Sequence, residues 1–298
     1  MGTRSPARIA DASLLLRLGR VSNLPTVWTN VACGIALAGG DARAGIVLLL
    51  IASVSATYVA GMMLNDAFDR DIDASERPER PIPSGEIDAD SVFAMGFGLL
   101  AAGFGLAVTA AVLSPSGSRA AAPACAFALA AAVLTYDLVH KRARSAVLLM
   151  AACRALVYAT AAYTTAPRLG EITLLGMAAI FAYVTGLTAV AAEENLRALR
   201  SARALILLAI PAAIALWLGR HEPAGLAFAA LFSGVTFETV CALRQHRSDI
   251  RSTVSQMIAG ICLLDAALIA GCGEVEVAVV AALGAVLTRL VQRRVAGT

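Results

Sequence analysis

Long apolar runs separated by short polar connections make up most of the chain. Most of them approach the roughly 20 residues that a helix needs to cross a bilayer, although some are shorter, notably 204–218. The ten runs are 24–39, 46–64, 93–113, 120–138, 146–165, 174–192, 204–218, 226–243, 254–270 and 277–291. This pattern predicts an all-α, polytopic transmembrane helical bundle with ten candidate segments, not all of which need span.

The composition agrees with a chain dissolved in lipid. Hydrophobic residues make up 59% of the 298 positions and charged residues only 15%, and the mean hydropathy is +0.76. A typical soluble domain has a lower fraction of hydrophobic residues and a higher fraction of charged residues. Residues 1–13 lack a charged region followed directly by a cleavable apolar core, so no signal peptide is expected. We predict a single integral-membrane domain over residues 1–298.

The basic residues fall on one side of the predicted bundle. If the N-terminus is cytoplasmic and all ten runs cross, only four of the 24 basic residues lie on the opposite side, and Arg154 lies within a run. Those four are Arg43, Arg119, Arg168 and Arg220. Short cytoplasmic loops retain Arg and Lys, so this bias predicts a basic cytoplasmic face. Such a face suits membrane lipids and a phosphorylated substrate, and no nucleic acid is needed to explain it. The abundance of Arg and Ala is typical of a GC-rich bacterial genome. We therefore expect the protein in a bacterial inner membrane, with the active site on the cytoplasmic side.

The longest polar interruption follows the second apolar run, at residues 65–90. On a helix that advances about 100° per residue, with Asn65 at zero, Asp69 lies at about 40° and Asp73 at about 80°. Asp66 lies at about 100°, whereas Asp71 lies at about 240°, on the other side. Four oxygen-bearing side chains therefore share one face. Such ligands suit Mg²⁺, which takes its other ligands from water and phosphate, so this face is a candidate diphosphate site.

The segment after Asp73 carries three prolines and a glycine up to Gly85, which predicts a stiff, non-helical loop. It can fold over the acidic face and bring Arg77 or Arg80 to phosphate oxygens. The alternative is a solvated acidic helix end neutralised by nearby arginines. The position of the acids beside the membrane favours the functional interpretation, because charges there are costly and usually functional.

The combination resembles the first signature of the UbiA superfamily of intramembrane prenyltransferases, Asn-Asp-x-x-Asp-x-x-x-Asp followed by Arg-Pro-Ile-Pro-Ser-Gly. The resemblance implies a helical bundle, usually of nine transmembrane helices. Its cytoplasmic-side cavity would bind a polyprenyl diphosphate through Mg²⁺, ionise it and transfer the prenyl group to a small-molecule acceptor. Asp66, Asp69 and Asp73 would be catalytic and, with Asn65, would hold the metal.

Other positions resemble family residues less specifically. Lys141 and Arg142 resemble a Lys-Arg pair that reaches the diphosphate, although they also serve as topology-setting charges. Arg20 and Asn23 resemble positions that face the acceptor or the diphosphate.

The second family motif, Asp-x-x-x-Asp, is degenerate in this chain. The corresponding stretch, residues 191–197, has no carboxylate pair four residues apart. Glu194 or Glu193 could hold a second Mg²⁺ with fewer ligands, and Arg197 could supply part of its charge. The alternative is a Glu193–Arg197 ion pair on a helix surface. The single Glu at this place, with short motifs at 153–156 and 263–266, resembles the EboC-like branch of the superfamily.

Two charges inside apolar runs are also informative. Arg154 and Asp265 should find partners or line a wet cavity, and a direct pair between them is one possibility. By contrast, His140, His221 and His246 are interpreted as loop residues that form no metal cluster.

Three functions remain open at this point. The first is transfer of a prenyl group to a small acceptor. A UbiA-type terpene cyclase would use the same ionisation but capture the cation within its own chain. A lipid or metabolite transporter would use the interior charges but would leave the ordered array from Asn65 to Asp73 unexplained.

Overall fold

The structure, a computed structural model, describes residues 12–40, 42–140, 145–192, 202–245 and 248–294, without the side chains of 192 and 202–204. Every extended regular element within these ranges is helical, which confirms the all-α prediction. The helices are α1 Ala12–Leu18, α2 Leu24–Leu37, α3 Ala44–Phe68, α4 Arg70–Glu76, α5 Ala89–Leu113, α6 Ala121–Val139, α7 Ala146–Thr165, α8 Glu171–Ala192, α9 Ala202–Gly219, α10 Pro223–Arg244, α11 Ile250–Gly271 and α12 Val275–Gln292.

Each of the ten apolar runs coincides with a helix. Within the described residues, eight helices are long and apolar enough to cross a membrane, namely α3, α5, α6, α7, α8, α10, α11 and α12. The other two runs correspond to α2, which has 14 residues, and to α9, whose described apolar part is the shorter stretch Leu205–Gly219. The protein is therefore an integral membrane protein. That residues 1–298 form a single domain stays a prediction.

Helix α2 lies among other helices and carries buried polar side chains. It packs against α3, α7, α11 and α12, and both Asn30 and Thr26 on it are fully buried. Its contact with α7 is close, because a Cβ added at Gly34 would lie 2.7 Å from the backbone oxygen of Tyr158. Small residues permit such an approach of helices in lipid. Helix α2 therefore brings polar groups into the middle of the bundle.

Helix α3 is held mainly by α5. A Cβ at Gly103 of α5 would lie 2.5 Å from the hydroxyl oxygen of Thr57, and the Ser53 hydroxyl donates to the Gly103 carbonyl at 2.6 Å. At the other end of α3, Met63 and Ala67 join a buried cluster with Leu18 of α1. These contacts fix the end of α3 that carries the acidic motif.

Candidate active site

The acidic motif runs across the junction of α3 and α4 with little interruption of the helix. Asp69, between the two helices, has helix-like dihedral angles (φ −83°, ψ −1°), and its backbone N–H donates to the Asn65 carbonyl at 3.0 Å. The Asp73 N–H donates to the Asp69 carbonyl at 2.8 Å. Because the four-residue spacing of the hydrogen bonds continues through Asp69, the face drawn from the sequence persists. Its members Asn65, Asp66, Asp69 and Asp73 are all buried.

Asp71 lies outside this face. Its side chain is 87% exposed, and its carboxylate is 3.7 Å from the Nε atom of Arg70. The motif therefore separates four buried oxygen-bearing side chains from one solvated carboxylate.

Two arginines converge on the first aspartate. Arg20 Nη2 lies 3.2 Å from Asp66 Oδ1, and Arg80 Nη1 lies 3.3 Å from the same oxygen. Arg80 Nη1 also lies 2.6 Å from Asp73 Oδ2. Arginine presents its donors in a rigid fork that suits carboxylate and phosphate oxygens alike. Two guanidinium groups and two carboxylates thus meet at one point.

Arg20 has an unusual backbone conformation. It adopts left-handed dihedral angles (φ 43°, ψ 45°) between α1 and the short 3₁₀ turn Val21–Asn23. Non-glycine residues rarely adopt this conformation, and such strain tends to occur at functional sites. The ion pair between Arg20 and Asp66 is consistent with a functional role for this strained conformation.

Arg80 reaches the site because the loop after α4 folds back, as the sequence predicted. The Arg80 N–H donates to the Arg77 carbonyl at 3.0 Å, and the Ser84 N–H donates to the Arg80 carbonyl at 2.9 Å. Ile82 and Ile87 pack against the apolar cluster of α1, α3 and α5. The loop is therefore anchored on the C-terminal side of Arg80. Arg77 lines the cavity described below.

Helix α6 contributes two side chains that the sequence interpretation missed. His140 Nε2 lies 3.1 Å from Asp69 Oδ2, and the Asn65 amide donates to Asp137 Oδ1 at 3.4 Å. The other ring nitrogen of His140 lies 3.2 Å from the Tyr136 carbonyl oxygen. His140 Nε2 also lies 3.5 Å from the Asn65 amide nitrogen. His140 directly follows the last residue of α6, at the start of a connection as the sequence indicated, but its contact with Asp69 was not foreseen.

A sequence signal for this pair did exist. Asp137 is a carboxylate inside an apolar run, which is the same feature that drew attention to Arg154 and Asp265. His140 follows it at a spacing of three residues, which places both on one helix face. Only the packing of α6 against α3 reveals that this face meets Asn65 and Asp69.

A cavity of about 1020 Å³ extends from this site into the bundle. Arg20, Arg80 and Asp137 lie on its wall, and so do many apolar side chains. The apolar part includes Val27, Val54, Leu129, Val157, Val184 and Leu187. The volume lies at the upper end of the range for small-molecule sites. The charged groups and the apolar space therefore belong to one binding region.

Asn23 lines the same cavity without reaching the aspartates through a described hydrogen bond. Its amide donates to the Tyr58 hydroxyl at 3.2 Å and accepts from the Gln292 amide at 3.0 Å. It thereby positions an aromatic ring on the cavity wall. Four further predicted site residues lie outside the described residues. They are Lys141, Arg142, Glu194 and Arg197.

The two interior charges are joined through an asparagine. Arg154 Nη1 donates to Asn30 Oδ1 at 2.8 Å, and Asn30 Nδ2 donates to Asp265 Oδ2 at 2.8 Å. The Tyr158 hydroxyl donates to the other oxygen of Asp265. The direct Arg154–Asp265 pair, one possibility from the sequence, is not formed among the described contacts. Arg154 lines the cavity, whereas Asp265 is fully buried.

The donor set of the aspartate face fits Mg²⁺. Among the described residues no three Asp, Glu, His or Cys side chains form a metal cluster by themselves, but Mg²⁺ needs only one or two protein carboxylates beside water and phosphate. In addition, Asp137 Oδ2 is buried without a hydrogen-bond partner in the described part of the chain. An unpaired buried carboxylate oxygen is costly, and a cation or a donor on a ligand would satisfy it.

Known proteins resemble this chain in part of the sequence and in the fold. The UbiA prenyltransferase family matches residues 26–202, more than half of the chain. The chain is 43% identical over 97 residues to the digeranylgeranylglyceryl phosphate synthase of Ignicoccus hospitalis, which is 31% of each chain. It is 40% identical over 88 residues to the chloroplastic chlorophyll synthase of Oryza sativa subsp. japonica, 28% of this chain and 23% of that protein. These matches thus span about a third or less of each relative.

Two solved structures have the same fold. The apo structure of a UbiA homologue from Aeropyrum pernix K1 superposes with a TM-score of 0.66 at 19% identity, covering 84% of this chain and 96% of that one. A structure described for digeranylgeranylglyceryl phosphate synthase has a TM-score of 0.62 at 16% identity, covering 88% and 98%. The family match includes α3 and α4, which carry the acidic motif, and the two solved structures have the same helical architecture. The chain therefore belongs to the UbiA prenyltransferase family.

Proposed function

We propose that the protein is an intramembrane prenyltransferase that moves a prenyl group from a polyprenyl diphosphate to a small acceptor. One observation carries the proposal: a buried face of four oxygen-bearing side chains is met by two arginines, Arg20 and Arg80, that line a largely apolar cavity. A diphosphate suits the charged end and an isoprenoid tail suits the apolar space. Family membership adds support.

The arginines would bind the substrate's phosphate oxygens. Arg20 and Arg80 already meet at one carboxylate oxygen, Asp66 Oδ1, so both can reach a diphosphate placed beside it. Charge-assisted hydrogen bonds from guanidinium groups to phosphate are among the stronger polar contacts in proteins. Arg77, at the cavity wall, would add a third cation.

Mg²⁺ would be held on the acidic face. The proposed ligands are Asn65, Asp66, Asp69 and Asp73, and Asp137 can offer its unpaired oxygen. When bound, the ion would stabilise the charge that develops on the departing diphosphate. A second Mg²⁺ at Glu194 stays a prediction, because that residue lies outside the described part of the chain.

The reaction would break the bond between C1 of the prenyl group and the bridging oxygen, with both electrons leaving on the diphosphate. A nucleophilic atom of the acceptor then forms a bond to C1 and loses its proton. The cation between these events reacts with water, so water must be kept away. Apolar side chains such as Val54 and Leu129 line the cavity and would do so.

We further propose that the site faces the cytoplasm of a bacterial inner membrane. The support is the strong bias of arginines toward the connections on the side of the motif.

The experiment that tests this function uses membranes containing the full chain, radiolabelled prenyl diphosphates of several chain lengths and a set of candidate acceptors. We expect release of diphosphate that requires Mg²⁺ and stops with a chelator, and a prenylated product that appears only with an acceptor. Membranes without the protein are the control.

Two other results would point elsewhere. A cyclic hydrocarbon formed without any acceptor would contradict prenyl transfer and indicate a terpene cyclase. Uptake of a lipid or metabolite without any turnover of prenyl diphosphate would indicate a transporter. The chlorophyll and digeranylgeranylglyceryl phosphate synthases are named for different products, so the acceptors tested should be chemically diverse.

A further inference from the structure

A second basic pocket lies between the start of α11 and the end of α12, apart from the aspartate face. Its volume is about 270 Å³, and three arginines line it, namely Arg251, Arg289 and Arg293. The other described residues on its wall are Asp249, Ser252, Ser255 and Gln292. Every described residue that lines it is therefore polar or charged. Such a wall suits a small anionic group and does not suit a hydrocarbon chain.

The second basic pocket is on the same side of the bundle as the acidic motif. The Gln292 amide on its wall donates to Asn23 Oδ1 at 3.0 Å. Arg20, three residues before Asn23, pairs with Asp66 of the motif. Arg251 lines both this pocket and the large cavity. The pocket thus belongs to the face of the protein on which the basic residues collect.

The pocket also lies at the depth where lipid headgroups are expected. Both helices that form it meet the length and hydropathy of membrane spans, and the pocket is where α11 begins, at Ile250, and where α12 ends, at Gln292. The ends of membrane spans lie in the polar headgroup region of a bilayer. Basic pockets between transmembrane helices at this level bind the headgroups of anionic lipids.

The arginines carry more positive charge than their described surroundings neutralise. Within the described part of the chain none of the three forms an ion pair, and Arg289 Nη1 lies 3.3 Å from a neutral acceptor, Gln292 Oε1. One carboxylate, that of Asp249, lines the pocket. It caps α11, because its Oδ1 atom accepts from the Ser252 N–H at 2.6 Å. Three cations beside one carboxylate leave a net positive charge that favours an anion.

The position of Arg251 is not explained by the stability of its own helix. It is the second residue of α11, and the N-terminal end of a helix dipole is positive, so a cation there is disfavoured. Arg289 and Arg293 differ, because they lie in the last turn of α12 and directly after it, where cations are favoured. An anion bound between the two helix ends would compensate Arg251 and would also face the positive end of α11.

An apolar face of α12 leads along the helix toward the pocket. Six of its side chains are between 44% and 68% exposed, and they are Val279, Val280, Leu283, Val286, Leu287 and Leu290. Arg293 follows Val286 by seven residues, which is close to two full turns, so it continues the edge of this face. A molecule with its phosphate at Arg293 can therefore lay hydrocarbon chains along α12.

We propose that the second basic pocket binds the phosphate group of an anionic glycerophospholipid whose acyl chains lie along the exposed face of α12. Guanidinium groups pair with phosphate oxygens through parallel hydrogen bonds. A zwitterionic lipid would bring its own cation to the arginines and lose much of this attraction. A free phosphate ion would leave the apolar face of α12 without a partner. This assignment does not depend on prenyl transfer as the function.

The test is native mass spectrometry of the full-length protein in a neutral detergent. The protein is titrated with phosphatidylglycerol or with phosphatidylcholine that has the same acyl chains, and the lipid-bound fraction gives the apparent affinity. We expect phosphatidylglycerol to bind about 25-fold tighter, because each unneutralised arginine contributes about fivefold and the pocket has an excess of two cations. Equal binding of the two lipids overturns the proposal.

Inorganic phosphate distinguishes a lipid site from a site for the free ion. Added at about ten times the lipid concentration, it should leave phosphatidylglycerol bound, because it gains nothing from the apolar face of α12. If phosphate displaces the lipid under these conditions, the pocket is a site for the free ion and the lipid assignment is wrong.

Variants assign the preference to the pocket. Arg293→Gln should lower the preference for phosphatidylglycerol about fivefold, and adding Arg289→Gln should remove most of what remains. Arg294→Gln is the matched control, since Arg294 is also exposed but does not line the pocket, and its preference should stay within about twofold of the wild type. An unchanged preference in Arg293→Gln overturns the proposal. Equal losses in Arg293→Gln and Arg294→Gln do so too, because they would indicate a diffuse attraction to surface charge.

Discussion

Replacing Asp66 with asparagine is expected to lower the rate of magnesium-dependent diphosphate release by about 10² to 10³-fold. Asp66 is buried on the acidic face, and its Oδ1 atom accepts hydrogen bonds from both Arg20 and Arg80. The substitution keeps the size of the side chain but removes the negative charge that would help to hold Mg²⁺ and that pairs with both guanidinium groups. Initial rates at saturating Mg²⁺ and prenyl diphosphate measure the effect.

Asp71→Asn is the matched control for this prediction. It makes the same chemical change five residues later in the same motif, but Asp71 is 87% exposed and, in the described part of the chain, pairs with the exposed Arg70 alone. Its rate should stay within about twofold of the wild type, because exposed ion pairs contribute little. Equal losses in the two variants would show that the motif acts through its total charge and that the buried face has no special role. Thermal midpoints of both proteins separate a loss of fold from a loss of catalysis.

Replacing Arg80 with glutamine is expected to lower kcat/KM for the prenyl diphosphate by about 100-fold, the scale of losing one charged contact in a buried site. Arg80 contacts Asp66 and Asp73 and lines the cavity, so its removal weakens substrate binding and also leaves both carboxylates with less compensation. Steady-state kinetics over a range of prenyl diphosphate concentrations measure it.

Two further variants sharpen the role of Arg80. Arg80→Lys should recover part of the loss, because an ammonium group keeps the charge but cannot form the two-pronged contact. Arg70→Gln should leave the kinetics unchanged, since Arg70 points away from the face, toward Asp71 and the Phe93 ring. A full recovery with lysine would mean that only charge matters. A comparable loss in Arg70→Gln would argue for a general electrostatic effect of the loop.

The fold was largely accessible from the sequence because lipid imposes a simple rule. Backbone polar groups must be paired inside the membrane, so each long apolar run has to become a helix. The runs at 24–39 and 204–218 were harder to assign as spans. Helix α2 is short and carries buried polar groups such as Asn30, which lowers its apolar signal although it lies inside the bundle.

The acidic face could be drawn from spacing alone for a local reason. Helical hydrogen bonds continue through Asp69, so the angular positions of Asn65, Asp66 and Asp73 follow from the helix period. The stiff, proline-rich loop likewise suggested that either Arg77 or Arg80 would approach the face. Local geometry was sufficient in both cases.

The parts of the site that were missed depend on contacts between distant segments. His140 meets Asp69 from 71 positions away, and Asn30 lies between Arg154 and Asp265 across the bundle. Helix period says which residues share a face but not which other helix that face meets. The left-handed conformation of Arg20 was also beyond the sequence, because non-glycine residues adopt it only where tertiary contacts hold them there.

The most direct test of the central claim is an experimental structure of the full chain with a non-reactive prenyl diphosphate analogue and Mn²⁺ in place of Mg²⁺, located by its anomalous signal. We expect the metal on the face formed by Asn65, Asp66, Asp69 and Asp73, the diphosphate beside Arg20 and Arg80, and the tail in the cavity. A second basic pocket lies between α11 and α12, lined by Arg251, Arg289 and Arg293. Diphosphate and metal bound there, with the aspartate face free of both, would contradict the account.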